Sequence, residues 1–280
     1  MKLVRIALPL VAVVVVLASL GLSQEGPLVP DPPKGIAPQE IIQKFAAKEK
    51  EFKEARDNYT FRQDVRVQTV DGDTVTGEYR EVFDVTYDTQ GRHLENVVFA
   101  PQNSLTEILM SPEDLQDIRH LLPFVLTSDE IPEYDIIYAG QQQEDELHCY
   151  VFDIAPKKIE GKKRYFQGRI WVDDQDMQVV KTSGKTVPDI RKKSNENLFP
   201  KFATWREQVD GRYWFPAYTM ADDTLHFRKG AYQDVHIREI VKYTDYKRFG
   251  SKVTVTYQGK ELPKPDQKQE QKRPDEQKPN

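Results

Sequence analysis

The tetrapeptide Ser183-Gly184-Lys185-Thr186 ends as a phosphate-binding loop ends, with a lysine to reach terminal phosphates and a hydroxyl to meet a magnesium ion. Such a loop also requires a glycine five residues before Gly184, and Val179 stands there, so the stretch reads as strand. Asp173, Asp174 and Asp176 offer hard oxygen ligands at a spacing that suits calcium, but acids at a hairpin tip also serve to turn the chain, and no metal is expected. His93, His120, His148, His226 and His236 are scattered too widely to place two imidazoles on one ion by local spacing. The sequence holds no Gly-x-Ser-x-Gly elbow and no His-Glu-x-x-His pair. Cys149 is the single cysteine and alternates with Leu147 and Val151, so it reads as a small buried hydrophobe. Asn58-Tyr59-Thr60 is a glycosylation sequon only in a host with that machinery. The chain is therefore expected to be non-enzymatic and without cofactors.

What remains is apolar surface, concentrated between Tyr165 and Val187. Phe166, Ile170 and Val172 fall on one face of a strand and Tyr165 and Trp171 on the other, so a hairpin there needs cover on both sides. The elements that would provide it can be read in order. Met-Lys-Leu-Val-Arg followed by an apolar run from Ile6 to Leu22 is an export signal over residues 1–23, with an uncleaved inner-membrane anchor as the alternative. Residues 24–38 carry Pro27, Pro30, Pro32, Pro33 and Pro38 and read as a stiff linker. From Gln39 to Arg56 the residues Ile41, Ile42, Phe45, Phe52 and Ala55 recur at helical spacing.

Period-two alternation then takes over. It runs through Tyr59 to Val67, past Asp71-Gly72 into a face of Val75, Tyr79, Phe83, Val85 and Tyr87, and past Gln90-Gly91 into Leu94 to Phe99. Glu81 interrupts that face, as a bulge or a polar mouth would require. Ser111-Pro112-Glu113-Asp114 begins an inserted helix to about Leu122, and Leu115, Ile118, Leu121 and Leu122 form its apolar stripe. This helix is either a lid over an open sheet or a filler of its core. Strands resume at Tyr134 to Gly140 and Leu147 to Ile154 with Gln141 to Glu146 as the polar join, then come the central hairpin, a hairpin around Asp210-Gly211, and Tyr232 to Tyr246. Val253, Val255 and Tyr257 can add an edge, and 259–280 reads as a disordered charged tail. A formal charge of -5 without a basic block in the folded part gives no argument for nucleic acid.

The expected fold is mainly β with helices, a single strongly curved antiparallel sheet (an incomplete β-barrel) over residues 39–258, with an N-terminal helix and an inserted helical lid; a two-sheet sandwich is the other form. A curved aromatic layer is suited to an acyl chain, since each buried methylene contributes about 0.8 kcal/mol. Phe83, Val85, Leu121, Tyr165, Ile170, Trp171 and Trp214 are the candidate cavity or lid positions.

Arg169-Ile170-Trp171-Val172-Asp173 followed by Met177-Gln178-Val179-Val180-Lys181, together with the export signal and the two helices, resembles the periplasmic outer-membrane lipoprotein-sorting superfamily of LolA, LolB, LppX and RseB-like proteins. The resemblance implies an unclosed barrel with a helical lid over a hydrophobic cavity. It also implies a periplasmic carrier whose partner is a lipid or an acylated lipoprotein. The superfamily's regulatory members imply the alternative, a periplasmic module that binds a protein partner. The arginine that locks the lid of the carriers is not placed by any motif, and Arg62, Arg66 and Arg80 are not assigned that role.

Overall fold

The computed structural model describes residues 25–87, 92–120, 122–161, 163–191, 196–228 and 233–249. The expected export signal (residues 1–23), Leu121, Val253, Val255, Tyr257 and the expected tail over 259–280 lie outside these residues. Helix α1 spans Pro38–Arg56, with proline in its first turn, and buries Ile41, Phe45, Ala46 and Phe52. Strands β1 (Tyr59–Asp71), β2 (Thr74–Tyr87) and β3 (His93–Phe99) form a meander before helix α2 (Pro112–His120). A 3-10 turn at Ile131–Glu133 leads to β4 (Tyr134–Glu144), β5 (Leu147–Pro156), β6 (Tyr165–Asp173) and β7 (Val179–Val187). The short pair β8 (Ile190–Arg191) and β9 (Glu196–Asn197) precedes β10 (Phe202–Val209), β11 (Tyr213–Phe227) and β12 (Gln233–Arg248).

Among the described residues, ten strands form one sheet in the order β3-β2-β1-β12-β11-β10-β7-β6-β5-β4, and β8 pairs with β9 apart from it. Every pairing is antiparallel. β3 and β4 are the two edges and do not pair with each other, so the sheet is not closed. A two-sheet sandwich is thereby excluded for these strands.

Polar groups fasten the helices to this sheet. Glu49 of α1 is 1% exposed and meets Arg206 of β10 in a two-pronged ion pair of 2.7 and 3.0 Å. The same guanidinium donates to the carbonyl oxygen of Phe124, just after α2, at 2.6 Å. α2 begins with a reciprocal cap. The Asp114 amide donates to Ser111 Oγ (3.1 Å) while the Asp114 carboxylate accepts from the Ser111 amide (2.8 Å) and hydroxyl (2.7 Å).

Four local expectations are corrected. Gln141 to Glu144 is not a loop but continues β4, because Gln142 Nε2 donates to the Gly26 carbonyl (2.7 Å) and the Gln141 and Gln143 backbones bond Val29 and Gly26. The Pro-rich stretch correspondingly lies antiparallel along β4, with bridges at Glu25 to Glu144 and Val29 to Gln141. Glu81 causes no bulge against β1, and the nearest register shift of β2 lies on its other side, between Val82 and Phe83 against β3. The pairing Val65 to Glu81 keeps register, and its carboxylate accepts from Tyr79 Oη (2.8 Å) and Arg119 of α2 (3.3 Å). Val75 is 44% exposed rather than on the core face, since the β1–β2 register shifts between Thr69 and Val70.

Gly77 permits the last step in building the site. A Cβ there would lie 2.8 Å from the Ser104 carbonyl oxygen and 3.0 Å from Leu105 Cα, so its absence lets the chain after β3 rest on the sheet on its way to α2.

Candidate ligand cavity

Between α2 and the sheet lies a cavity of about 340 Å³. Val67 of β1, Leu225 and Phe227 of β11, and Ile237 and Glu239 of β12 come from the sheet. Glu107 to Met110 and α2 (Asp114, Ile118) form one wall, and the segment Glu196 to Pro200 forms another. Register assembles the floor, since Val67 is the partner of Glu239, which pairs in turn with Ala221. The volume falls at the lower end of the roughly 300 to 1,000 Å³ of small-molecule sites, and the lining is mostly apolar, as such sites require.

Glu239 is the exception in that lining. It is 5% exposed, and its Oε1 has no hydrogen-bond partner among the described residues. Burial, with a smaller contribution from the nearby Asp114 charge, pushes its carboxyl up to about 8, so it holds its proton at pH 7. The other acids on the wall have partners. Glu107 accepts from Thr76 Oγ1 (2.8 Å), Asp114 caps α2, and Glu196 accepts from the Arg228 amide (2.7 Å) and Arg191 (3.0 Å). Among the described residues no lysine, arginine or histidine lines the cavity.

α2 is held over this floor by ion pairs on two sides of its last turn. Arg119 reaches Glu81 (3.3 Å) and Glu95 (3.2 Å) and lies 5.1 Å from the centre of the Phe83 ring. On the far side, Asp117 Oδ2 and Arg164 Nη1 lie 3.5 Å apart, an ion-pair distance without a hydrogen bond. Burial outweighs the Arg164 charge and pushes Asp117 up to about 6. Arg164 also lies 4.1 Å from the Phe199 ring centre and donates to Asn197 Oδ1 at 3.3 Å, which ties α2 to the second wall.

The sequence candidates lie elsewhere. Phe83, Val85, Tyr165 and Ile170 are buried in the main core, Leu121 is outside the described residues, and none of the other candidates lines the cavity. The aromatic rings of this region pack on one another instead: Phe124 stacks on Phe166 at 4.5 Å, and Phe166 meets Phe202 at 5.7 Å. Tyr165, expected opposite Phe166, joins the same core through Tyr134 at 6.3 Å. Trp171 lies on the other face with Cys149, Val151 and Val180, and Trp214 packs partly against that cluster. There Trp171 and Trp205 flank the buried ammonium of Lys181, 4.8 and 5.3 Å from their ring centres, while Lys181 pairs with Glu144 (2.8 Å) and with Glu25.

Two residue types considered for chemistry are engaged structurally. Burial pushes the Cys149 thiol up to about 12, which makes it a poor nucleophile. Asp173 accepts the amides of Gln175 (3.2 Å) and Asp176 (3.0 Å), and Asp176 accepts from Trp214 Nε1 (2.8 Å), so the acidic tip is tied up as a turn. Glu239 was missed, although a signal was present: Val235, Ile237, Val241 and Tyr243 alternate on β12, and the one inward position among them that is not apolar is Glu239.

No family model and no curated protein matches this chain. Among solved structures it is similar to a DUF1329 family protein from Desulfovibrio piger, at 13% identity over 71% of this chain and 90% of that one, with a TM-score of 0.34. It is also similar to MucB, solved in complex with MucA(peri), at 8% identity over 73% of this chain and 93% of that one, with a TM-score of 0.22. At scores this low neither likeness assigns a ligand or a partner to this chain.

Proposed function

We propose that this chain is an exported, periplasmic, non-enzymatic binding protein that holds the acyl chain of a lipid or acylated lipoprotein in the cavity under α2. In this reading the unclosed sheet curves around the cavity as an incomplete barrel and α2 is its lid. The observation that carries it is the mostly apolar hollow of about 340 Å³ between an inserted helix and the sheet. A charged amino-terminal segment followed by an apolar run supports export. Solvent extraction of the purified protein followed by mass spectrometry should release lipid, and an alkyl fluorophore should bind with an affinity that Leu225→Trp lowers at least tenfold. Recovery of no lipid together with no fluorophore binding overturns the proposal.

A second reading, a module for a protein partner, is favoured by the edge strand β3. Val97, Val98 and Phe99 are 58%, 52% and 47% exposed on an edge that is unpaired among the described residues, as a strand-adding partner would need. Partner binding that persists in Leu225→Trp and is lost in Val98→Lys would support it.

A further inference from the structure

The four carboxyl groups on the cavity wall are not equivalent. Glu107, Asp114 and Glu196 each accept hydrogen bonds from neighbouring groups, as described above, while Glu239 Oε1 is buried with none among the described residues. A buried polar atom without a partner costs stability, and an apolar side chain in its place on β12 would continue the run of Val235, Ile237 and Val241 without that cost. The orphaned atom belongs to a side chain of the cavity lining, so a guest's polar group can complete it.

The wall also selects the sign of that polar group. Among the described residues an anionic head would meet four acids and no lysine, arginine or histidine, whereas a cationic head would meet the same four acids favourably. A neutral hydroxyl or ester can satisfy Glu239 but draws nothing from Glu107, Asp114 and Glu196. Resting on the reading of this cavity as a site for an alkyl chain, we propose that its ligand carries an ammonium group, and that Glu239 is the residue that receives it while Val67, Ile118, Leu225 and Ile237 contact the chain.

The proton count follows from the burial of Glu239. In the empty cavity Glu239 keeps its proton at pH 7, with Asp114 from α2, Glu107 and Glu196 from the walls and Tyr243 on its own strand as the titratable groups around it. An ammonium seated against it favours the carboxylate, so binding releases a proton to solvent. The only bond broken is the O–H of the Glu239 carboxyl, whose proton passes to the buffer.

Titration calorimetry with decylammonium, decanol and decanoate at pH 7, in two buffers of different ionisation enthalpy, tests this. Decylammonium should bind at least tenfold more tightly than decanol, decanoate should bind most weakly, and about one proton should be released per decylammonium bound. Glu239→Gln should abolish both the ammonium preference and the proton release, with circular dichroism confirming its fold. Glu146→Gln, at the β4–β5 tip, should keep both. Equal or tighter binding of decanoate, or an ammonium preference that survives in Glu239→Gln, overturns the assignment. Decanol binding without ammonium preference defeats this inference and leaves the alkyl-chain reading standing, whereas no binding of any of the three probes defeats both.

Discussion

The acid on β12 makes the stability of the whole domain depend on pH in a window that can be worked out. Glu239 is held at about 8 in the folded chain against an ordinary glutamate value of 4.5, through burial first and the Asp114 charge second. Between those two values the unfolded chain has lost this proton and the folded chain has kept it. The native state therefore binds more protons, and stability falls as pH rises. The slope is about 1.4 kcal/mol per pH unit, on the order of 5 kcal/mol across the window, and it levels off above pH 8. That is a large part of the roughly 5 to 15 kcal/mol that holds a domain together. Glu239→Gln keeps the shape and removes the titration. The amide stays neutral, so any cost of its own is independent of pH. Urea unfolding of both proteins from pH 4 to pH 9 should show the variant gaining on the wild type steadily through the window, with midpoints diverging by roughly 2 M at a slope of about 2 to 3 kcal/mol per M. Asp117, raised to about 6, contributes the same sign over a lower window, but it is present in both proteins and cancels in the difference. A gap that stays constant from pH 4.5 to pH 8 would refute the reasoning, because it would mean that the carboxyl ionises as easily in the folded chain as in the unfolded one.

Other outcomes follow from the remaining buried polar groups. Arg206→Met strands the Glu49 carboxylate at 1% exposure and should cost about 3 to 5 kcal/mol in chemical denaturation, while Glu49→Leu combined with Arg206→Met should recover most of it; a single variant within 1 kcal/mol of wild type would contradict this. Lys181→Met removes the cation that joins Glu25 to the sheet, and limited proteolysis within residues 25–33 should speed up; unchanged cleavage would show that the bridges to β4 suffice. Ser111→Ala deletes the hydroxyl of the α2 cap and should weaken the helix by about 1 kcal/mol, seen as faster amide hydrogen exchange in α2 with little change in α1; equal exchange in wild type and variant would count against the cap.

Much of the scaffold was legible because it depends on local periodicity. The spacing of Ile41, Phe45 and Phe52 marks α1, the tetrapeptide at Ser111 marks the start of α2, and strict alternation marks β1 and β12. The polar run Gln141 to Glu144 was not legible as strand, because what makes it one is the backbone of residues 26 and 29, whose approach no local pattern encodes. The cavity was hidden for a related reason. Its floor depends on the pairing of Val67 with Glu239 across the β1–β12 ladder, a contact between the two ends of the domain. Aromatic content pointed to residues that do not line this cavity, since large rings that can meet at 4.5 to 6 Å close space rather than leave it, as Phe124, Phe166 and Phe202 do. The better signal was the acid in an apolar alternation.

The two helices are attached to the sheet by different physics, and this bears on which of them can expose the cavity. α1 is fixed by Ile41, Phe45 and Phe52, each at most 1% exposed, and by the Glu49–Arg206 pair at 1% and 2% exposure, so lifting it would strip apolar surface and separate two desolvated charges. α2 has nine residues and contributes Ile118 at 6% exposure, and its outer tie through Arg119 runs to Glu81 and Glu95, at 15% and 29% side-chain exposure. Water can replace much of such a pair, so its loss costs far less. The Arg206 hydrogen bond to the Phe124 carbonyl fixes the chain just beyond α2, and Asp117 and Arg164, at 13% and 10% side-chain exposure, hold the other side of its last turn. In the proposed reading a cationic guest meets on the same wall Asp114, whose charge adds to burial in raising the Glu239 carboxyl.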